Sequence, residues 1–138
     1  MENIFAVITI DVIDSKKSNK EIRKFLIEKD IECEEENILN IFLETQAQES
    51  SLILDNEGLI LTQVCASRGD EIQVVCSNIN NICYVTRKLR YYFRPLKLRV
   101  GIGIGEISTE INENSWDMNG EAFFRAREAL DTVKKKKS

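Results

Sequence analysis

The 138-residue sequence predicts an α+β domain of ferredoxin-like plan, with elements in the order βαββαβ, a C-terminal helix after them, and an antiparallel sheet. Three observations predict this plan. A nearly continuous apolar run over residues 3–11 is typical of a central strand that is buried on both faces. Residues 96–107 alternate with a period of two, which indicates a second long strand. Between them, apolar positions over residues 79–93 keep helical spacing.

The first half of the chain supplies one strand and two helical stretches. The strand ends at Asp11. Ser18 and Glu21 have the spacing of a capping box, and apolar residues follow on one helical face, so a helix begins there. A second helical stretch is predicted over residues 37–48, and the segment DIECEEEN before it is either a solvated helical turn or a break. Residues 50–58 then form a loop or a short strand that a turn closes.

The second half begins with a predicted hairpin. Residues 59–66 and 71–77 indicate two strands around the turn Ser67-Arg68-Gly69-Asp70. Ser77 or Asn78 can cap the next helix, which Pro95 stops.

The strand over residues 96–107 has two different faces. One carries the apolar side chains, and the other carries Gly101, Gly103 and Gly105. Glycines along one face leave room for a close neighbour, either a helix or a ligand, and a packed helix is the commoner cause. A last helix is predicted over residues 120–134.

Composition excludes several kinds of site. The length and the 43% hydrophobic content fit a single domain over residues 1–138. The chain has no His, so it has no Ser-His-Asp or Cys-His nucleophile and no imidazole metal ligand, and its four cysteines form no CxxC pair. Any catalysis must therefore use carboxylates, Lys, Arg, hydroxyls, backbone amides or an oxygen-liganded metal.

Charge and hydropathy bear on location and partners. The net charge of −4 and the pI near 5.0 argue against broad adhesion to nucleic acid or membrane, and we expect no direct nucleic-acid contact from this chain. No apolar run approaches the roughly 20 residues of a bilayer span, and the N-terminus lacks the pattern of a signal peptide. We expect a cytoplasmic protein.

The predicted topology brings two distant carboxylates together. In a split βαβ arrangement the third strand lies beside the first, so the end of strand one meets the start of strand three. Asp11 stands at the first point and Asp70 at the second. Such a pair repels unless a cation or a raised pKa offsets the repulsion. With oxygen ligands only, the natural cation is Mg²⁺, or else Mn²⁺ or Ca²⁺, and Mg²⁺ fills its shell with water and phosphate oxygens.

The loop after strand one fits a phosphate ligand by its position. Asp14, Ser15, Lys16 and Lys17 precede a helix whose free amides favour an anion. The alternative is an Asx or Ser turn with solvated lysines.

The chain contains, in this order, the segments ITIDVIDSKK, SRGDEIQVV, LRVGIGIGEIST and NGEAFFRAREAL. Together they resemble the SatD family of bacterial proteins over nearly the whole chain. SatD-like proteins are typically longer, with a C-terminal segment that looks like a helix-turn-helix, whereas this chain stops after the AREAL helix. The resemblance implies a role in bacterial stress and acid tolerance.

The same segments are distantly similar to the palm of class III nucleotidyl cyclases and GGDEF-type cyclases. That similarity implies Asp11 and Asp70 as ligands of Mg²⁺ or Mn²⁺, with Ser15 near the phosphates. Glu71 either assists or points outward. Phe124 and Glu128 stand where cyclases have Asn and Arg, which argues against cyclase chemistry but leaves metal and phosphate binding.

Three functional hypotheses follow. The first is a metal- and nucleotide-binding domain, in which phosphoryl or nucleotidyl transfer is an open question. Its metal ligands are Asp11, Asp70 and Glu71, and its phosphate partners are Ser15, Lys16, Lys17 or Arg99. The second is a non-catalytic stress-response module, either regulatory or forming a homodimer, that keeps the fold without the chemistry. In the third, the longer family members contact DNA through the segment missing here, and this domain is a sensor.

Overall fold

The computed structural model describes residues 4–67 and 70–136. It contains four strands and four helices in the described part of the chain. The strands are Ile4–Ile13 (β1), Cys65–Ala66 (β2), Glu71–Cys76 (β3) and Lys97–Glu106 (β4), and the helices are Asn19–Glu28 (α1), Ile38–Asn56 (α2), Ile82–Tyr92 (α3) and Glu121–Lys135 (α4). No helix of the described residues is both long and apolar enough to cross a bilayer.

The four strands form one antiparallel sheet in the order β2-β3-β1-β4. Strand β1 lies in the interior of the sheet and pairs with β3 on one side and β4 on the other. This order confirms the predicted α+β class and its ferredoxin-like strand arrangement.

Helices cover both faces of the sheet. Successive residues of a strand point to opposite faces, so the two faces of β1 bury different sets of side chains. Ala6, Ile8 and Ile10 pack in a large core with residues of α1, α2 and α3. Val7 lies in a smaller core with Val75 and residues of α4. The sheet therefore lies between a layer of three helices and the single helix α4.

The glycines of β4 are packed under α4, as the commoner of the two predicted causes requires. A Cβ atom at Gly101 would lie 2.6 Å from the backbone nitrogen of Leu130. At Gly103 it would overlap the Ala122 carbonyl and the Ala126 nitrogen, and at Gly105 it would lie 2.6 Å from the Glu121 carboxylate. At Gly101 and Gly103 the overlap is with the backbone of α4, so only hydrogen there permits this close approach of helix and strand.

Helix α2 is longer than predicted. The prediction that residues 50–58 form a loop or short strand is wrong, because the helix continues to Asn56. Ser50, Ser51 and Leu54 are fully buried on the helix face that packs against the sheet. The Ser50 hydroxyl donates to the Ala47 carbonyl at 3.2 Å, so its polar group is satisfied inside the helix. The predicted turn is the end of this helix, where Gly58 has a φ of 73°.

Strand β2 is shorter than the predicted residues 59–66, and that prediction is wrong for most of its length. Before Cys65, side chains replace part of the sheet hydrogen bonding. The Thr62 hydroxyl accepts from Val75 N at 3.0 Å, and the Ser51 hydroxyl accepts from Val64 N at 2.7 Å. The segment is thus fixed to β3 and α2 without a regular ladder.

Of the predicted helix caps at Ser18 and Asn78, the structure contains only the second. Ser18 precedes α1 but makes no side-chain capping bond, so the predicted capping box is absent there. The Asn78 side chain accepts from Asn80 N at 2.8 Å, as a cap of the turn before α3. The segment DIECEEEN is a break that contains a 3₁₀ turn at Glu35–Asn37.

Candidate functional site

Three charged residues stand side by side across the sheet. In the strand register, Asp11 of β1 lies opposite Glu71 of β3 on one side and opposite Arg99 of β4 on the other. Odd-numbered residues of these strands face α4, so this charged row lies beneath the last turns of that helix. The predicted convergence of the end of β1 with the start of β3 is therefore present.

Asp11 is held by Arg99. The Asp11 Oδ2 atom accepts from Arg99 Nε at 3.1 Å and from Arg99 Nη2 at 2.5 Å. The Asp11 side chain is 11% exposed and that of Arg99 is 24% exposed. A carboxylate this deeply buried requires such a charge-assisted partner.

Glu71 is held by Arg127 of α4 through both of its oxygens. Glu71 Oε2 accepts from Arg127 Nη1 at 3.0 Å, and Oε1 accepts from Nη2 at 2.5 Å. This bidentate pair lowers the pKa of Glu71 below its ordinary value, mainly through the hydrogen bond from Arg127. The same bond raises the pKa of Arg127. Both groups are therefore charged at neutral pH.

Lys134 joins the two pairs. Its Nζ atom lies 3.4 Å from Glu71 Oε2 and 3.8 Å from Asp11 Oδ2. We call Asp11, Glu71, Arg99, Arg127 and Lys134 the charged cluster. It contains two carboxylates and three cations, so it carries one excess positive charge. Asp131, which is half exposed, approaches Arg127 at 3.9 Å and offsets part of this excess.

The other predicted site residues do not join the charged cluster. Asp70 immediately precedes β3 and has a φ of 61°, and within the described chain it makes no hydrogen bond or ion pair. Its neighbours Arg68 and Gly69, which belong to the predicted turn, lie outside the described residues.

The loop after β1 forms a 3₁₀ turn over Ser15–Ser18. Asp14 before it is left-handed, with a φ of 47°, and its carboxylate lies 3.8 Å from the Nζ atom of the exposed Lys17. Ser15 is half-buried, and Lys16 is exposed. Among the residues that the structure describes, none of the three predicted phosphate partners in this loop contacts the charged cluster.

The ion pairs leave few carboxylate oxygens free to bind a metal. The described residues contain no group of three acidic or Cys side chains placed to hold a metal ion. Both oxygens of Glu71 are engaged by Arg127, so this residue has no free oxygen for a metal. All contacts of Asp11 within the described chain are made by Oδ2, which leaves Oδ1 as a potential ligand. By itself, this donor set does not suit a bare divalent cation.

Sequence reasoning missed the roles of Arg127 and Lys134. A signal for them exists in the C-terminal helix, where these two residues are seven positions apart and therefore lie on one side of it. Ala122 and Ala126 form the neighbouring stripe, and small residues of this kind suit packing against the glycine face of β4. Pairing the alanine stripe with the glycine face would have placed both cations over the end of β1.

Comparison with protein families identifies the family of this chain. The model of the SatD family matches residues 5–138, nearly the whole chain. The chain belongs to the SatD family. The comparison with curated proteins finds no match. The matched range includes all five residues of the charged cluster, so the cluster lies within the SatD domain itself.

Proposed function

We propose that this SatD domain binds a phosphate-bearing ligand, such as a nucleotide, at the charged cluster. The observation that supports the proposal is the gathering of three cations, Arg99, Arg127 and Lys134, around two buried carboxylates, with only the half-exposed Asp131 as a third acid. Phosphate oxygens accept from guanidinium groups in the same paired geometry that carboxylates use. A phosphate can therefore accept from the N–H groups of these three cations that the carboxylates do not use.

We also propose that Mg²⁺ or Mn²⁺ enters together with this ligand. A bare divalent ion at Asp11 Oδ1 would be repelled by Arg99 and Lys134, which already contact the same carboxylate. A phosphate supplies negative charge to those two cations and oxygen ligands to the metal. Asp11 and Asp70 are the proposed protein ligands. A bound metal would polarise the phosphate oxygens, and phosphoryl or nucleotidyl transfer is the class of reaction that this supports.

Titration calorimetry with ATP, GTP and inorganic triphosphate, each with and without Mg²⁺, tests both parts. We expect weak binding without metal, tighter binding with it, and little binding of Mg²⁺ alone. Lys134→Gln should weaken binding of all three anions. Lys135→Gln is the matched control, because the neighbouring exposed lysine loses the same charge outside the cluster. Asp11→Asn should abolish the enhancement by Mg²⁺.

The absence of heat with every anion would contradict the proposal, and so would an equal loss in both lysine variants. Incubation with ATP or GTP and analysis of the products tests the transfer reaction separately.

A second candidate is a non-catalytic regulatory module that dimerises. The observation that favours it is the closed bidentate pair of Glu71 and Arg127, which satisfies a predicted site residue internally. Sedimentation velocity should then show a concentration-dependent dimer that nucleotides do not affect. A measured turnover would exclude this candidate.

A further inference from the structure

We propose that the outer face of α3 binds single-stranded nucleic acid. This face carries Tyr84, Arg87, Lys88 and Tyr91 at the helical spacing i, i+3, i+4 and i+7. Arg94 follows just after the helix. Together with Arg90 we call these residues the basic-aromatic stripe. It is separate from the charged cluster, because α3 covers the opposite face of the sheet from α4.

The charge around α3 differs from that of the whole protein. No acidic residue occurs between Glu71 and Glu106, whereas this interval contains Arg87, Lys88, Arg90, Arg94, Lys97 and Arg99. Four of these cations, Arg87, Lys88, Arg90 and Arg94, lie on α3 or just after it, so residues 82–94 carry a net charge of +4 in a chain whose net charge is −4. Arg99 belongs to the charged cluster on the other face of the sheet. The expectation that this chain makes no contact with nucleic acid rested on the overall charge, which conceals this local excess.

The aromatic rings of the stripe are accessible and already lie next to cations. Tyr84 is 39% exposed and Tyr91 is 55% exposed. Lys88 Nζ lies 5.4 Å from the centre of the Tyr84 ring, and the guanidinium carbon of Arg94 lies 4.0 Å from the centre of the Tyr91 ring. Each ring therefore combines accessible surface for a base with an adjacent cation for a phosphate.

The residues beside the basic-aromatic stripe indicate on which side of it a nucleic-acid strand would lie. On the α2 side, the Glu57 carboxylate acts on Lys88, so this border is partly neutralised. On the β4 side, Arg90 Nη1 donates to the Leu98 carbonyl at 3.4 Å, and the neighbouring exposed side chains on this face of β4 are Ile102 and Ile104. The more positive border of the stripe is therefore the one that faces β4, where Arg90 adds a cation.

The chemistry favours nucleic acid over other polyanions. The stripe from Tyr84 to Tyr91 is about 10 Å long, which corresponds to two or three nucleotides. An acidic protein would use the cations but would not require accessible rings between them. A lipid surface would require a larger apolar face than this helix presents.

Fluorescence anisotropy with labelled 12-nucleotide RNA and DNA single strands tests the proposal on the full chain. We expect binding whose log K falls with log salt concentration with a slope of about −2, as for three phosphate contacts on a single strand. Arg87→Gln should reduce the magnitude of this slope by about 0.7. Tyr91→Ala should weaken binding about tenfold without changing the slope, and Tyr91→Phe should restore binding because it keeps the ring.

Lys20→Gln is the matched control, since it removes the same charge from an exposed position on α1. It should leave binding unchanged. The proposal is overturned if neither single strand binds at 50 mM salt, or if Arg87→Gln and Tyr91→Ala have no more effect than Lys20→Gln. Equal or tighter binding of a DNA duplex, of polyglutamate or of phosphatidylserine vesicles would also overturn it.

Discussion

Glu71 shows how a single side chain can be held by the packing of two elements. Its two oxygens each accept from one nitrogen of Arg127, and its side chain is only 16% exposed. Arg127 is 39% exposed, so solvent weakens the attraction between the charges. The value of the pair lies mainly in satisfying a buried carboxylate whose other partner in the described chain is Lys134, at the longer distance of 3.4 Å.

Glu71→Gln should lower the free energy of unfolding by about 1–2 kcal/mol at pH 7. Because Arg127 lowers the pKa of Glu71 in the folded protein, the pair contributes fully above the ordinary glutamate pKa of about 4.3. This contribution is lost as the pH falls through the lower, folded-state value. Urea unfolding between pH 7 and pH 3 should therefore show the stability gap between the two proteins closing only at the acid end.

Glu44→Gln, at an exposed position of α2, is the control and should change stability by less than about 0.5 kcal/mol at any of these pH values. A gap for Glu71→Gln that is independent of pH would show that the charge of Glu71 does not matter.

The sequence predicted part of this site at the level of residues. The topology alone brought Asp11 to the start of β3, because the pairing of the two strands fixes which of their ends meet. It could not predict that Arg99 and Lys134 neutralise Asp11. The Arg99 contact depends on the register of β1 and β4, and the Lys134 contact depends on where α4 lies above the sheet. Long side chains can also reach several partners from one backbone position.

The contact between β4 and α4 shows how two elements are matched through small residues. The glycines of β4 face Ala122 and Ala126, so the helix backbone approaches the strand closely. The same approach brings Arg127 and Lys134 within reach of the row formed by the strands. The packing of this pair of elements therefore sets the geometry of the charged cluster.

Gly103→Ala should destabilise the protein by about 3 kcal/mol, at the upper end of overpacking effects, because the new methyl group would overlap the backbone of α4. Thermal and urea unfolding measure this cost. Ile102→Ala, at the next position on the opposite, partly exposed face, should cost about 1 kcal/mol. If both substitutions cost the same, the close approach of helix and strand is not important for stability.

Sequence periodicity predicted the secondary structure correctly where one face of an element is regularly buried. It failed where side-chain hydrogen bonds replace backbone hydrogen bonds. Strand β4 has an uninterrupted alternation, and its bounds agree closely with the prediction. In contrast, Ser50 and Ser51 suggest a break, yet both are buried within α2. Thr62 bonds to β3 through its hydroxyl, so the backbone pairing before Cys65 is limited to an isolated bridge between Ile60 and Cys76, and no regular strand forms. Such contacts depend on tertiary placement, which local patterns do not contain.

Across the whole molecule, the sheet has two different edges. The short β2 is flanked by the loop before α4, where Trp116 Nε1 donates to the Cys65 carbonyl at 3.2 Å. At the other edge, β4 is ten residues long and is the outer strand of the described sheet. Arg125 Nη1 donates to the Ile104 carbonyl at 2.8 Å, and Arg90 donates to the Leu98 carbonyl. These two arginines occupy acceptors that another strand would use.

Replacing both Arg90 and Arg125 by Gln should therefore make the protein self-associate at a lower concentration than the parent chain. Sedimentation velocity over a concentration series measures this change. The control is the pair Lys20→Gln and Lys24→Gln on α1, which removes the same charge from exposed residues that donate to no carbonyl of β4 within the described chain. Equal association in the two double variants would mean that the loss of charge, and not the freed edge, is responsible.

The position of α4 in the chain also has a consequence for synthesis on the ribosome. Every strand of the sheet comes from residues 4–106, whereas the helix that covers its glycine face comes from residues 121–135. A nascent chain that has released β4 but not α4 therefore exposes Val7 and Val75, and it leaves Glu71 without Arg127. Such a partly covered sheet is the species most open to chaperones and to aggregation. Emergence of α4 ends this interval, and it also completes the charged cluster.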